Sequence, residues 1–159
     1  MAYIIENGDD LKVSVVNFED LNKSLGVDFL HYWFYKLEFV LWSLHKDKDE
    51  RWRKFRMTAK NSVEHISPQH PKETDKNRVS ASVLNTFGNL ALVSRSINSE
   101  YSNLPYNEKR QRFKNNNSYK LDSLKMDLIY EKDMWNDDLA SQHQKYMIDC
   151  LKKYLNINE

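Results

Sequence analysis

Three short stretches in the middle of the chain decide the fold: VEHISPQ at residues 63–69, FGNLAL at residues 87–92 and INS at residues 97–99. Residues 57–66 predict a strand that runs into a turn at Ser67 and Pro68. The apolar run 88–93 predicts a second short strand, and Ser96 is a suitable N-cap for a short helix that begins near Ile97. The polar stretch 69–78 between the strands predicts a long loop.

Helices are expected on both sides of this centre. Apolar residues recur at helical spacing from Val27 to about Leu44, and again from Asn136 to Tyr154. The charged run 46–51 is interpreted as a solvated helix end or loop. Residues 12–16 are the best strand candidate in the first twenty residues. The predicted fold class is therefore α+β and mainly helical, with a β-β-α core between N- and C-terminal helices.

Length and composition favour one domain. A chain of 159 residues with 13% aromatic residues can bury a sizeable core. We divide residues 1–159 into an N-terminal helical part at 1–56, a β-β-α core at 57–103, and a basic segment with the C-terminal helix at 104–159.

Composition and net charge exclude several classes of protein. The net charge of +1 gives no global field for nucleic acid, although local patches matter more than totals. A single cysteine excludes an internal disulfide and a multi-cysteine zinc site. The N-terminus lacks the pattern of a secretion signal, and the apolar run 29–44 is too short and too charged to span a bilayer. We expect a cytoplasmic protein without a membrane partner.

The central stretches resemble the HNH (ββα-metal, His-Me finger) nuclease motif, in the version with Asn as the final residue. They are more closely similar to the C-terminal domain of GmrSD-type modification-dependent restriction enzymes. His65 lies 24 residues before Asn89, and Asn98 lies nine residues further on. The matching text is EHISPQ at 64–69, GNLAL at 88–92, NSEYSN at 98–103 and EKR at 108–110.

This resemblance implies a divalent-metal-dependent endonuclease that hydrolyses DNA in restriction or anti-phage defence. His65 would be the general base that activates water, since histidine accepts protons near neutral pH. Asn89 would orient His65 through backbone hydrogen bonds across the loop. Glu64 and Asn98 would hold Mg²⁺ or Mn²⁺, which prefer oxygen ligands. Because Glu64 and His65 are adjacent, they can share a site only if the strand ends or bends there.

The resemblance also implies partners. Lys109 and Arg110 would hold a DNA phosphate, as part of the basic cluster that also contains Arg112 and Lys114. In the family an N-terminal nucleotide-binding and hydrolysing module usually precedes this domain. No phosphate-cradling glycine loop occurs in the sequence given, so such a module would be another part of a longer protein or a partner subunit.

Simpler interpretations compete at several positions. His70 invites a zinc site, but a surface histidine is the preferred interpretation. His143 fits a packing residue, and Tyr101 and Tyr106 fit packing better than base stacking. For the whole chain, the alternatives are a non-catalytic DNA-binding module on the same frame and a helical assembly domain.

Overall fold

The computed structural model describes the backbone of residues 2–6 and 12–155 and the side chains of residues 17–155. Within these residues the fold is α+β and mainly helical, as predicted. Two antiparallel two-stranded sheets accompany the helices. The strands are β1 (Ala2–Glu6), β2 (Lys12–Val16), β3 (Ser62–His65) and β4 (Leu90–Val93). The helices are α1 (His31–His45), α2 (Glu50–Lys54), α3 (Ala81–Leu84), α4 (Arg95–Tyr101), α5 (Tyr106–Asn116), α6 (Leu124–Ile129) and α7 (Asp137–Leu155).

The central β-β-α unit consists of β3, β4 and α4. His65 pairs with Leu90 at one end of the antiparallel ladder, and Ser62 pairs with Val93 at the other. Ser94 then caps α4, because its side chain accepts a hydrogen bond from the Ile97 backbone N–H at 3.3 Å. The helix therefore begins two residues earlier than predicted, since Ser94 rather than Ser96 satisfies its free N–H groups.

Most of the flanking predictions are confirmed with shifted ends. The strand Lys12–Val16 is present, and the last helix runs Asp137–Leu155. The predicted start of the first helix at Val27 is wrong, because Gly26 has a φ of +54° in a short 3-10 turn and α1 begins only at His31. The charged run 46–51 is only partly solvated, since the Arg51 guanidinium pairs with Asp127 at 3.1 Å.

The polar segment after residue 103 contains a helix that the sequence did not predict. Tyr106, Lys109 and Phe113 of α5 are all buried, at spacings of three and four residues. This is the spacing of one helix face. The apolar spacing of this helix face is not evident in the sequence because a lysine occupies its middle position.

Two buried charged residues, Glu38 of α1 and Lys125 of α6, hold the backbone around α6 and the start of β4. Glu38 accepts hydrogen bonds from Ser123 Oγ and from the Leu124 backbone N–H, both at 2.7 Å. Lys125 donates to the carbonyls of Phe87, at 2.7 Å, and Leu90. Burial lowers the pKa of Lys125 to about 7, although the nearby Glu38 charge raises it in part.

Helix α7 contacts the turn that precedes β4 at very short range. A Cβ at Gly88 would lie 2.3 Å from the Ala140 carbonyl oxygen, so only glycine fits there. The Gly88 N–H donates to Gln144 Oε1 at 2.8 Å. The entry to β4 is thus fixed from one side by Lys125 and from the other by α7.

We expect Lys125→Met to change how stability depends on pH. Because the pKa of Lys125 is lowered to about 7 in the folded chain, the unfolded chain binds more protons above that pH. The wild type should therefore gain stability relative to Lys125→Met between about pH 7 and 10, by at most about 1.4 kcal/mol per pH unit. Urea unfolding at several pH values measures this, with the exposed Lys120→Met as control. Parallel curves for wild type and Lys125→Met would contradict the prediction.

Candidate active site at the end of strand β3

A cavity of about 490 Å³ opens where β3 ends. One wall comes from β3 and the loop after it, and the other comes from α4 and the turn that follows α4. Polar lining residues include Glu64, His65, His70, Asn98, Ser102 and Asn103. Three of the residues predicted for the site, Glu64, His65 and Asn98, therefore line one cavity.

His65 is the last residue of β3 and only 6% exposed. Its Nε2 lies 2.8 Å from Asn85 Oδ1. Burial lowers the pKa of His65, and the nearby Lys109 charge lowers it further, whereas the contact with Asn85 raises it in part. The net lowering of the pKa favours a neutral imidazole at pH 7, which can accept a proton.

Asn89 does not line the cavity and is fully buried. Its Oδ1 accepts hydrogen bonds from the Ser67 backbone N–H at 2.9 Å and from Trp135 Nε1 at 3.0 Å. Its Nδ2 donates to the carbonyls of Ser67, at 3.2 Å, and Leu84, at 2.9 Å. The Asn89 carbonyl also accepts the Ile66 N–H at 2.9 Å. These bonds hold the backbone that follows His65, which is the type of contact expected for an orienting asparagine.

Glu64 and Lys109 form a buried pair below the end of β3. Lys109 Nζ lies 3.3 Å from Glu64 Oε2 and donates to the His65 carbonyl at 2.7 Å. Burial raises the pKa of Glu64 to about 7, with Lys109 opposing part of the rise. Glu64 Oε2 accepts no hydrogen bond from the described residues. The charged group closest to this oxygen is the Lys109 ammonium, so any cation bound by Glu64 would share the carboxylate with Lys109.

Lys109 and Arg110 do not lie where a phosphate-binding pair was expected. Lys109 is 0% exposed, and its ammonium is taken up by Glu64 and the His65 carbonyl. Arg110 does not line the cavity; its Nε donates to the Tyr130 carbonyl at 2.9 Å, and its guanidinium pairs with Asp133 at 3.2 Å. Lys109 thus supports the end of β3 from inside the fold.

Asn98 projects from α4 into the cavity wall and is partly buried. Its side-chain amide makes no hydrogen bond within residues 17–155. Ser102, with a φ of 41°, ends α4 with a tight change of direction. The next residue, Asn103, donates its Nδ2 to the His70 carbonyl at 3.2 Å, which connects the two walls at the rim.

The sequence model for the C-terminal domain of GmrSD restriction endonucleases matches residues 17–150. The chain belongs to this family. Comparison with curated proteins and with solved structures gave no match. Membership confirms the GmrSD-type resemblance and supports a nuclease function related to restriction, with DNA as the substrate class.

Within this GmrSD-type domain, the simpler interpretations of several residues agree with the structure. Tyr101 and Tyr106 are buried, at 1% and 0% exposure, so they pack in the core. The His143 ring packs against Trp135 at 5.9 Å, and burial lowers its pKa well below the usual range. His70 is exposed at the cavity rim.

Among the residues that the structure describes, no group of three or more His, Cys, Asp or Glu side chains could hold a metal ion. In the same part of the chain, none of the helices combines the length and the apolar character that a bilayer span requires.

The sequence missed Asn85, the side-chain partner of His65. It lies 20 residues after His65, in the turn that follows α3. In the sequence, Asn85 is marked only by its position four residues before Asn89. Its proximity to His65 becomes evident only after β3 and β4 have paired.

We expect Asn89→Ala to destabilise the GmrSD-type domain strongly. The substitution leaves two N–H donors and two carbonyl acceptors without their partner, and each buried unsatisfied group costs about 1–3 kcal/mol. We predict a loss of about 3 kcal/mol or more in the free energy of unfolding, because some groups will recover partners. Urea unfolding measures the loss, with Asn115→Ala on the exposed face of α5 as the matched control. Equal stability of Asn89→Ala and the control would show that these hydrogen bonds do not hold the loop.

Proposed function

We propose that this domain is a divalent-metal-dependent DNA endonuclease of the HNH type, in which His65 is the general base. One observation carries the proposal: Glu64, His65 and Asn98 line the same open cavity although Asn98 is distant in sequence. The net lowering of the His65 pKa supports the role, because a base must be unprotonated before it can act.

The proposed reaction is hydrolysis of a phosphodiester. His65 removes a proton from a water molecule as the water oxygen forms a bond to phosphorus. The bond between phosphorus and the leaving oxygen breaks, and the leaving oxygen takes up a proton from solvent. His65 then returns its proton to solvent. A general base of this kind is typically worth about 10²–10⁴-fold in rate.

The oxygen atoms at the cavity fit a hard divalent cation. Glu64 Oε2 lies 3.3 Å from the Lys109 ammonium without a well-aligned hydrogen bond, and the Asn98 amide makes none within residues 17–155. Mg²⁺ commonly keeps several waters and takes one or two protein oxygens, so Glu64 and Asn98 would suffice to hold it. When bound, Mg²⁺ or Mn²⁺ would stabilise the negative charge that develops on the phosphate.

Lys109 has a supporting role in this proposal. Its ammonium balances the Glu64 carboxylate and donates to the carbonyl of His65, so it fixes both the proposed ligand and the proposed base. Contacts with the DNA backbone would then come from other basic side chains at the surface. Arg112 and Lys114 of the predicted basic cluster are exposed on α5 and are the candidates.

Restriction or anti-phage defence is the biological role that we propose for this activity. A nucleotide-binding module, either elsewhere in the same protein or on a partner subunit, remains part of that proposal. A non-catalytic DNA-binding module is the alternative that an assay must separate from a nuclease.

We expect His65→Ala to slow cleavage of plasmid DNA in Mg²⁺ or Mn²⁺ by at least about 100-fold, the lower end of what a general base contributes. The matched control is His45→Ala, at the end of α1, where the His45 ring contacts Tyr146 away from the cavity. The control should cleave at the wild-type rate. Equal rates for His65→Ala and wild type would refute the assignment, and salt-sensitive DNA binding by wild type without cleavage would favour the non-catalytic alternative.

A further inference from the structure

The contact between Asn85 and His65 determines which ring nitrogen of His65 carries the proton. Asn85 follows α3 and is partly buried, and its Oδ1 lies 2.8 Å from His65 Nε2. An amide oxygen can only accept a hydrogen bond. The contact therefore requires the imidazole proton to be on Nε2. In a neutral ring this leaves the lone pair on Nδ1.

The second ring nitrogen of His65 is free for other chemistry. Nδ1 makes no hydrogen bond within the described side chains, and it is not among their fully buried polar atoms that lack a partner. Since His65 lines the cavity, Nδ1 is the ring nitrogen that a water molecule there can reach. The two nitrogens thus have separate tasks, one bound to the protein and one open to the cavity.

Gly26 provides the space that Asn85 needs. A Cβ at Gly26 would lie 2.7 Å from Asn85 Oδ1, too close for an ordinary contact, so the Asn85 side chain would have to shift. The Gly26 N–H also donates to the Asn85 carbonyl at 3.0 Å. Its φ of +54° is one that L-residues with side chains rarely adopt. The turn before α1 therefore holds the backbone of Asn85 and leaves its side chain free to face His65.

We propose that Asn85 is a positioning residue that holds His65 in the tautomer with its proton on Nε2, and that Gly26 keeps Asn85 in that position. The inference rests on the proposed function for its catalytic meaning. With this tautomer fixed, the proton from the attacking water passes to Nδ1. The imidazolium that results still donates from Nε2–H to Asn85 Oδ1, so the hydrogen bond is kept throughout the step.

The direct test is the tautomer of His65 itself. In ¹⁵N-labelled protein above the pH at which the ring is charged, long-range ¹H–¹⁵N spectra distinguish a protonated Nε2 from a protonated Nδ1. We expect the wild type to show the Nε2–H form alone. Asn85→Ala and Gly26→Ala should each give a mixture of the two forms. Asn85→Asp should restore the single Nε2–H form, because a carboxylate also only accepts.

Cleavage kinetics add a second readout. Asn85→Ala should lower kcat for plasmid cleavage by up to about 100-fold, the least that a general base contributes, with KM for DNA unchanged. Asn115→Ala is the control, with wild-type tautomer and rate. Backbone amide spectra of each variant show whether the fold is kept.

Two results would overturn the inference. The first is an Nδ1–H tautomer in the wild type, which would mean that Asn85 presents its NH₂ group to the ring. The second is an unchanged Nε2–H tautomer in folded Asn85→Ala and Gly26→Ala. Neither depends on cleavage, so a domain without nuclease activity would refute the proposed function while leaving the tautomer assignment to be judged by the spectra alone.

Discussion

The buried amide of Asn89 fixes the backbone that positions the whole site. It is fully buried and makes four side-chain hydrogen bonds, which join the exit of β3, the end of α3 and Trp135 before α7. A buried polar group without a partner is costly, so these bonds leave the chain little freedom after His65. Ser67 makes a further hydrogen bond across the base of the loop, since its Oγ accepts the Val79 N–H at 3.0 Å. The long loop is thus fixed at its base by Asn89 and Ser67 and at its rim by the Asn103 hydrogen bond to the His70 carbonyl.

Two buried lysines also hold the backbone at the strand ends through hydrogen bonds. Lys109 binds the carbonyl of His65, and Lys125 binds the carbonyls before and at the start of β4. Each is near a buried glutamate, Glu64 or Glu38, and burying such pairs is often less stabilising than an apolar core would be. Their benefit is positional, because a donor on a helix fixes backbone that the two short strands alone would leave loose.

The sequence allowed correct prediction of those features that depend on local residue patterns or on the motifs shared with the family. The strand that contains His65, the second strand, the last helix and the convergence of His65 with Asn98 were all expected, and family membership supports the coarse function. The helix α5 was missed because Lys109 looks polar in sequence, whereas its ammonium is buried against Glu64. Asn85 and Gly26 were missed because their role exists only after distant segments fold together.

In the proposed site, Glu64 and Asn98 hold one hard cation beside a His65 that does not itself bind the ion. Anomalous diffraction from crystals of the domain soaked in MnCl₂ tests this directly. We expect an anomalous peak in the cavity from an ion bonded to oxygen atoms of Glu64 and Asn98, with His65 Nδ1 facing a water molecule. A cavity without manganese while Mn²⁺-dependent cleavage persists, or a manganese ion bonded to the His65 ring, would contradict it.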